Sequence, residues 1–248
     1  MIVEFIGCTA SGKSTLAAKV VKLLLCREQD AISANDFILR FFKLASVANP
    51  TLQNVLLDIL LFPFFIIYLK RYLNIDSFCL RILFRKPYSF LGAANRLRSI
   101  IRKTLISEIV KKNDRDDRIL IVDEGLVHSA HNIFVYSDTP INIKEIAIFA
   151  NLVSLPDLLV YTTAANDVIL NRMVSRRELR QIFDPKNKRE EYVERAGIVF
   201  KQLCEIDNIR KRVFVVNTTN HNETDKQAED VANFILKNIK AKETQKIC

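Results

Sequence analysis

The chain has 248 residues, 49% of them apolar, and only five Gly and six Pro. That supply of apolar residues excludes a disordered chain, and the scarcity of Gly and Pro excludes long flexible linkers; one α/β domain carrying an insertion is the expected class. The formal net charge of +9 calls for an anionic partner: a nucleotide, a phosphorylated substrate, nucleic acid or a membrane surface.

Residues 2–6, Ile-Val-Glu-Phe-Ile, read as a buried strand, and residues 13–26 as a helix with Leu16, Ala17, Val20, Val21 and Leu24 on one face. A short second strand is expected at 30–33. Residues 37–112 read as helical throughout, broken near Pro50, Pro63 and Pro87. Apolar runs at 119–122, 158–161 and 213–216 give three further strands. Helices are expected at about 141–153, 166–183, 188–208 and 224–240, with residues 241–248 a frayed tail. Strands alternating with helices imply a mainly parallel sheet with right-handed crossovers. The core is therefore 1–36 with 113–240, and 37–112 is the insertion.

Cys8, Cys26, Cys79, Cys204 and Cys248 are scattered, odd in number and without metal-ligand spacing, and read as reduced thiols of a cytoplasmic protein. No secretory leader is read at the start, so the fold is expected to begin at residue 1 or 2.

Gly7-Cys8-Thr9-Ala10-Ser11-Gly12-Lys13-Ser14 fits the phosphate-loop pattern, and it lies between an expected strand and an expected helix. Gly7 and Gly12 permit the backbone angles that turn successive N–H groups inward as an anion nest. The helix beginning at Lys13, Ser14 and Thr15 adds free N–H donors. Lys13 supplies charge near the β- and γ-phosphates of ATP, and the Ser14 hydroxyl is placed to ligate Mg²⁺.

The strand at 119–122 ends in Asp123-Glu124-Gly125, and carboxyl ends of parallel strands are where ligands gather. Asp123 is the candidate for holding Mg²⁺, directly or through water; Glu124 is a candidate to polarise a water or an acceptor hydroxyl. Asp36, after the second strand, is either a carboxylate for the acceptor's proton or an N-cap of the next helix. Arg172, Arg176 and Arg180 are spaced to share a helix face with Arg177 beside it, a clamp for a transferring phosphoryl group or a solvated basic face.

The order of phosphate loop, Asp123-Glu124, Tyr161-Thr-Thr-Ala-Ala-Asn-Asp and Arg172…Arg176-Arg177…Arg180 resembles the thymidylate kinase and deoxynucleoside kinase group of P-loop kinases, over residues 1–36 and 118–240. The resemblance implies an α/β three-layer sandwich with a mainly parallel five-stranded sheet and a helical insertion. It implies ATP and Mg²⁺ as cofactors, an arginine-rich lid including Arg180 over the phosphates, and a loop near the base at Asn217-Thr218-Thr219-Asn220. In that group an arginine usually follows the second acid, whereas Gly125 follows here. The acceptor is accordingly either a nucleoside or nucleotide, as the resemblance implies, or a sugar, lipid-linked glycan or other alcohol. An NTPase switch is the reading from another class; residues 216–221 carry no guanine-reading pattern.

The insertion is expected to decide the acceptor. Residues 59–69 are apolar, as are most of 52–57, yet this run spans only ~16 Å as a helix and is not expected to cross a bilayer. Nine basic residues, Lys70, Arg71, Arg81, Arg85, Lys86, Arg96, Arg98, Arg102 and Lys103, follow with Asp76 the lone acid among them. A buried cap, a homodimer interface and a peripheral membrane contact all fit this pattern. Few aromatics are interleaved with the basic residues, which argues against nucleic acid. His128 and His131, three residues apart with no completing ligand, are expected near the site or on the surface.

Overall fold

The computed structural model describes residues 1–85, 90–113, 118–135, 140–176 and 186–247. Its centre is a five-stranded sheet, wholly parallel, of β1 Ile2–Gly7, β2 Ala31–Ser33, β3 Ile119–Asp123, β4 Leu158–Thr163 and β5 Val213–Asn217, in the order β2-β3-β1-β4-β5. β1 lies between β3 (Phe5 opposite Asp123) and β4 (Gly7 opposite Thr162). This register brings the phosphate loop, the acidic strand end and the exit of β4 to one edge, the carboxyl ends of the strands.

The strands are near-continuous apolar runs because helices cover both faces of the sheet. On one face α1 Lys13–Cys26 and the last helix, α9 Thr224–Ile247, bury Leu16, Val20, Val231 and Ile235 against Val3, Phe5 and Val160. The other face carries α2 Ala34–Phe41, α3 Pro50–Arg85, α4 Phe90–Asn113, α5 Ile143–Leu152, α6 Asn166–Ser175 and α7 Lys186–Glu205, with short α8 Asp207–Arg210 after it. Ile6 and Leu159 meet Phe149, Val199 and Phe200 there, while Leu120 meets Ile38 and Ile109.

Four expectations are corrected. Pro63 does not break the insertion: α3 runs through it. Proline removes one backbone bond and costs about 3 kcal/mol, but Pro63 sits on the exposed side, and the packing of Leu57, Leu61, Ile75 and Ile82 on the other side holds the helix. The segment Pro50–Tyr68 is thereby long and apolar enough, by length and composition, to cross a membrane, with a mean hydropathy of 1.7. Residues 241–247 are not frayed but complete α9. Asp36 does not N-cap α2; Ser33 does, accepting from the Asp36 N–H at 3.0 Å while its hydroxyl donates to the Asp36 carboxylate at 2.7 Å, a reciprocal cap. Finally, α6 ends at Ser175 and Arg176 is already extended, so Arg172 and Arg176 do not share a helix face. Arg177, Arg180 and Pro87 lie outside the described residues.

Candidate functional site

The phosphate loop is built by a backbone that turns left-handed three times, at Gly7 (φ 142°), Ala10 (φ 64°) and Gly12 (φ 90°). A side chain at Gly7 would place its Cβ 2.4 Å from the Thr162 carbonyl oxygen, so only glycine lets β1 turn there. Ser11 braces the loop on β4 through a 2.7 Å hydroxyl bond to Thr162. Thr218, just past β5, donates from its hydroxyl to the Ser11 carbonyl. Thr9 shares a 2.8 Å hydroxyl contact with Tyr192 of α7. Cys8 is buried, which pushes its thiol up to about 12; it contributes its carbonyl and not sulfur chemistry.

The helix behind the loop begins without a side-chain cap. The N-cap of α1 is Gly12, with no side-chain cap and no acid in the first turn, whereas α2 and α5 are capped by Ser33 and Asn142. The first N–H groups of α1, including those of Ser14 and Thr15, therefore have no side-chain cap, the arrangement in which a helix N-terminus can bind an anion. Lys13 is 3% exposed and its ammonium donates to the carbonyls of Gly7 (3.1 Å) and Cys8 (2.8 Å) and pairs with Glu124 at 3.2 Å. A cation folded back over its own loop is placed where phosphate oxygens would replace those carbonyls.

At the end of β3 the Asp123 carboxyl is raised by desolvation, opposed by a hydrogen bond from the Ser14 side chain. A hydroxyl and a carboxylate already in contact beside an anion nest are the donor set of an Mg²⁺ site, and the residues present fit that ion. Glu124 adopts φ +61°, a sparsely populated conformation for a non-glycine residue. It holds its carboxylate on Lys13 and 3.6 Å from His128 Nε2.

Ser14, Asp123 and Glu124 form one side of a cavity of about 820 Å³ whose other lining includes Asp36 and, from α4, Arg98, Arg102 and Lys103. Glu4, fully buried in β1, also lines it; its carboxylate accepts from the His128 N–H at 2.8 Å. Burial pushes Glu4 up to about 7. Burial also lowers Lys103, with Glu124 and Glu4 pulling the other way. Arg98 and Arg102 are held by Asp58 of α3, and Arg102 donates to Asn54 at 2.8 Å.

The arginine cluster is placed in part. Arg172 donates through Nη2 to the Thr218 carbonyl at 2.7 Å, while its Nη1 is buried with no hydrogen-bond partner among the described residues. Arg176 is exposed at the end of α6. Asn217 ends β5 and turns its side chain to the Thr219 N–H at 2.9 Å; it is Thr218 that touches the loop.

The histidines are neither on the surface nor in a metal site. His128 and His131 are buried and stacked, with ring centroids 5.2 Å apart, and Phe200 stacks against both. His131 Nε2 is 2.7 Å from the Tyr192 hydroxyl. Burial holds both rings well below the usual histidine range, so they are neutral at physiological pH. Among the described residues no group of His, Cys, Asp and Glu could hold a metal ion by clustering alone.

Sequence reading missed Glu4 and Tyr192, and named Thr218 only within the loop expected near the base, not as a brace of the phosphate loop. A detectable signal existed for Glu4, the single acid inside an otherwise apolar strand. Tyr192 carries no local pattern; only the folding of α7 onto the loop brings it there.

A five-stranded parallel sheet, helices on both faces and an uncapped helix after a left-handed glycine loop together make the P-loop kinase α/β fold. No family model matches the chain, and no curated protein does. Solved structures do. Thymidylate kinase from Ehrlichia chaffeensis superposes with a TM-score of 0.50 at 12% identity, covering 95% of this chain and 98% of that one. Thymidylate kinase from Candida albicans gives 0.49 at 13% identity, covering 98% and 92%. Shikimate kinase from Acinetobacter baumannii gives 0.46 at 14% identity, covering 96% and 93%. At these identities the likeness is one of fold.

Proposed function

We propose that the chain is an ATP-dependent phosphotransferase that moves the γ-phosphoryl group of ATP to a hydroxyl or phosphate acceptor held in the cavity beside the phosphate loop. The observation that carries this reading is the adjacency of two halves. Lys13, the bare N-terminus of α1 and the Ser14–Asp123 pair form a donor half. They open onto a cavity large enough for a small molecule and lined by both acids and bases. A switch that only hydrolyses nucleotide has no need of the second half.

In this reading the anion nest of residues 7–14 binds the phosphate chain and Lys13 leaves its loop carbonyls for the β- and γ-phosphate oxygens. Ser14 and Asp123 would hold Mg²⁺, which neutralises charge on the same oxygens. The acceptor oxygen forms a bond to the γ-phosphorus as the bond between that phosphorus and the β–γ bridging oxygen breaks, and ADP leaves. A hydroxyl acceptor gives its proton to a carboxylate lining the cavity, Asp36 or Glu124. Arg172, with Arg176, Arg177 and Arg180 after it, supplies charge to the transferring group; Asn217 and Thr218 border the nucleotide. The thymidylate and shikimate named for the similar structures are not carried over as acceptors, because at 12–14% identity the likeness is one of fold.

The test is phosphate transfer from labelled ATP to a panel of nucleosides, nucleoside monophosphates, sugars and sugar phosphates. The wild-type chain is expected to label one acceptor class, and Lys13→Ala to transfer at least about 100-fold more slowly with an unchanged circular dichroism spectrum. Full transfer by Lys13→Ala, or hydrolysis indifferent to every acceptor, would sink the reading.

A further inference from the structure

Among the described residues, the outer face of α3 is uncovered. Leu52, Ile59, Leu60, Phe62, Ile66 and Ile67 are all exposed, the last two at 62% and 69%. At 3.6 residues per turn they cover an arc of roughly 160°. The one charged residue between 50 and 68, Asp58, does not interrupt this arc, because it turns inward to Arg98 and Arg102. The opposite side of the helix is committed to the protein through Leu57, Leu61, Ile75, Phe78 and Ile82, so α3 lies along the domain with one face packed and one face open.

Two features choose the occupant. The arc is wider than the narrow seam of a helix pair, and it resembles the apolar side of a helix lying flat in a membrane interface. The residues that follow are strongly basic, nine Lys and Arg against one acid between 70 and 103; Arg98, Arg102 and Lys103 of these line the cavity, and Lys70, Arg71, Arg81 and Arg85 belong to α3 itself. Exposed Arg81 continues the apolar face beyond Leu73 and Leu80. A second copy would bring this same basic stretch to the same interface, whereas an anionic lipid surface neutralises it. We propose that α3 docks in the plane of an anionic bilayer, its apolar arc among the acyl chains at the headgroup boundary and the basic residues of α3 on the headgroups. The α3–α4 pair also walls the cavity through Asn54, Arg98 and Arg102, so docking sets the cavity beside the lipid surface. This inference does not depend on the phosphotransfer reading, since its readout is lipid binding.

The test is co-sedimentation of the full chain with vesicles of phosphatidylcholine alone and of phosphatidylcholine mixed with phosphatidylglycerol. The chain is expected to pellet with the anionic vesicles, less so in high salt, and weakly with the neutral ones. Ile59→Glu with Ile66→Glu, both at exposed positions, is expected to weaken that binding at least about tenfold. The chain contains no tryptophan, so Ile66→Trp gives a single fluorescent reporter. Its emission is expected to shift to the blue with anionic vesicles and to be quenched by brominated lipid. A chain that stays in the supernatant, or an emission spectrum that anionic vesicles leave unchanged, overturns the proposal. So does a solution dimer that the double substitution splits while vesicle binding persists.

Discussion

Replacing Glu4 by Gln tests the least expected group in the site. Glu4 is fully buried, and its Oε1 accepts the His128 N–H at 2.8 Å. Burial raises its carboxyl from 4.5 to about 7, opposed by the N–H groups of His128 and Val127. Glutamine keeps the acceptor oxygen for His128 and removes the ionisation. Because the folded-state pKa is the higher one, between pH 4.5 and about 7 the folded chain keeps a proton that the unfolded chain has released. The stabilisation from the neutral carboxyl is therefore complete below the lower value, falls as pH rises, and is gone above the higher one. The interval corresponds to about 3 kcal/mol. Lys103 acts in the opposite sense, since burial lowers it and its contribution recovers as pH rises towards the ordinary lysine range. It is present in both proteins, so the difference between them isolates Glu4 to first order. The assay is urea unfolding of both chains at two pH values, one at the lower pKa and one near 8. Glu4→Gln is expected to match the wild type at the acidic pH and to exceed it by about 3 kcal/mol near pH 8. A difference that does not change with pH refutes the reasoning.

Gly7→Ala forces a Cβ to within 2.4 Å of the Thr162 carbonyl oxygen at φ 142°; a loss of about 3 kcal/mol or more is expected, read as a lowered Tm. Tyr192→Phe removes the hydroxyl that contacts both Thr9 and His131. It is expected to cost about 1–3 kcal/mol of stability and to weaken ADP binding by calorimetry, since Thr9 belongs to the loop. Asp123→Asn keeps a partner for Ser14 but loses the negative charge. A Mg²⁺ titration of transfer should then shift to roughly tenfold higher concentration, with metal-free nucleotide binding unchanged.

The core was legible because its signals are local. Each strand is a continuous apolar run, and the loop at residues 7–14 has fixed residue types at fixed spacing, so all five strands and α1 fall where periodicity places them. Residues 37–112 were legible as largely helical and α3 begins at Pro50 as expected, but the break expected at Pro63 is absent. Pro63 marks a helix end only when nothing else holds the chain, and the packed face of α3 holds it. The spacing of Arg172 and Arg176 failed for a related reason: a pattern of i, i+4 is meaningful only inside a helix, and α6 stops at Ser175. The stacked histidines could not be read at all, since their partners Tyr192 and Phe200 come from α7, more than sixty residues along the chain.

The missing arginine after Glu124 has a steric and electrostatic explanation that links three elements. A Cβ at position 125 would lie 2.6 Å from the Glu4 carboxyl carbon and 2.8 Å from a Val122 methyl, so no side chain fits there while Glu4 is in place. The acid in β1 and the glycine after β3 therefore go together. With arginine excluded from the strand end, the positive charge comes from α4: Lys103 feels Glu124, Glu4 and Asp123 at once. Restoring arginine at 125 alone would collide with Glu4, and neutralising Lys103 alone would take away a cation that favours the ionised Glu4. On the phosphotransfer reading proposed above, the cation facing these acids comes from α4 and not from the strand end, so the loop and strand pattern that marks the donor half says little about the acceptor.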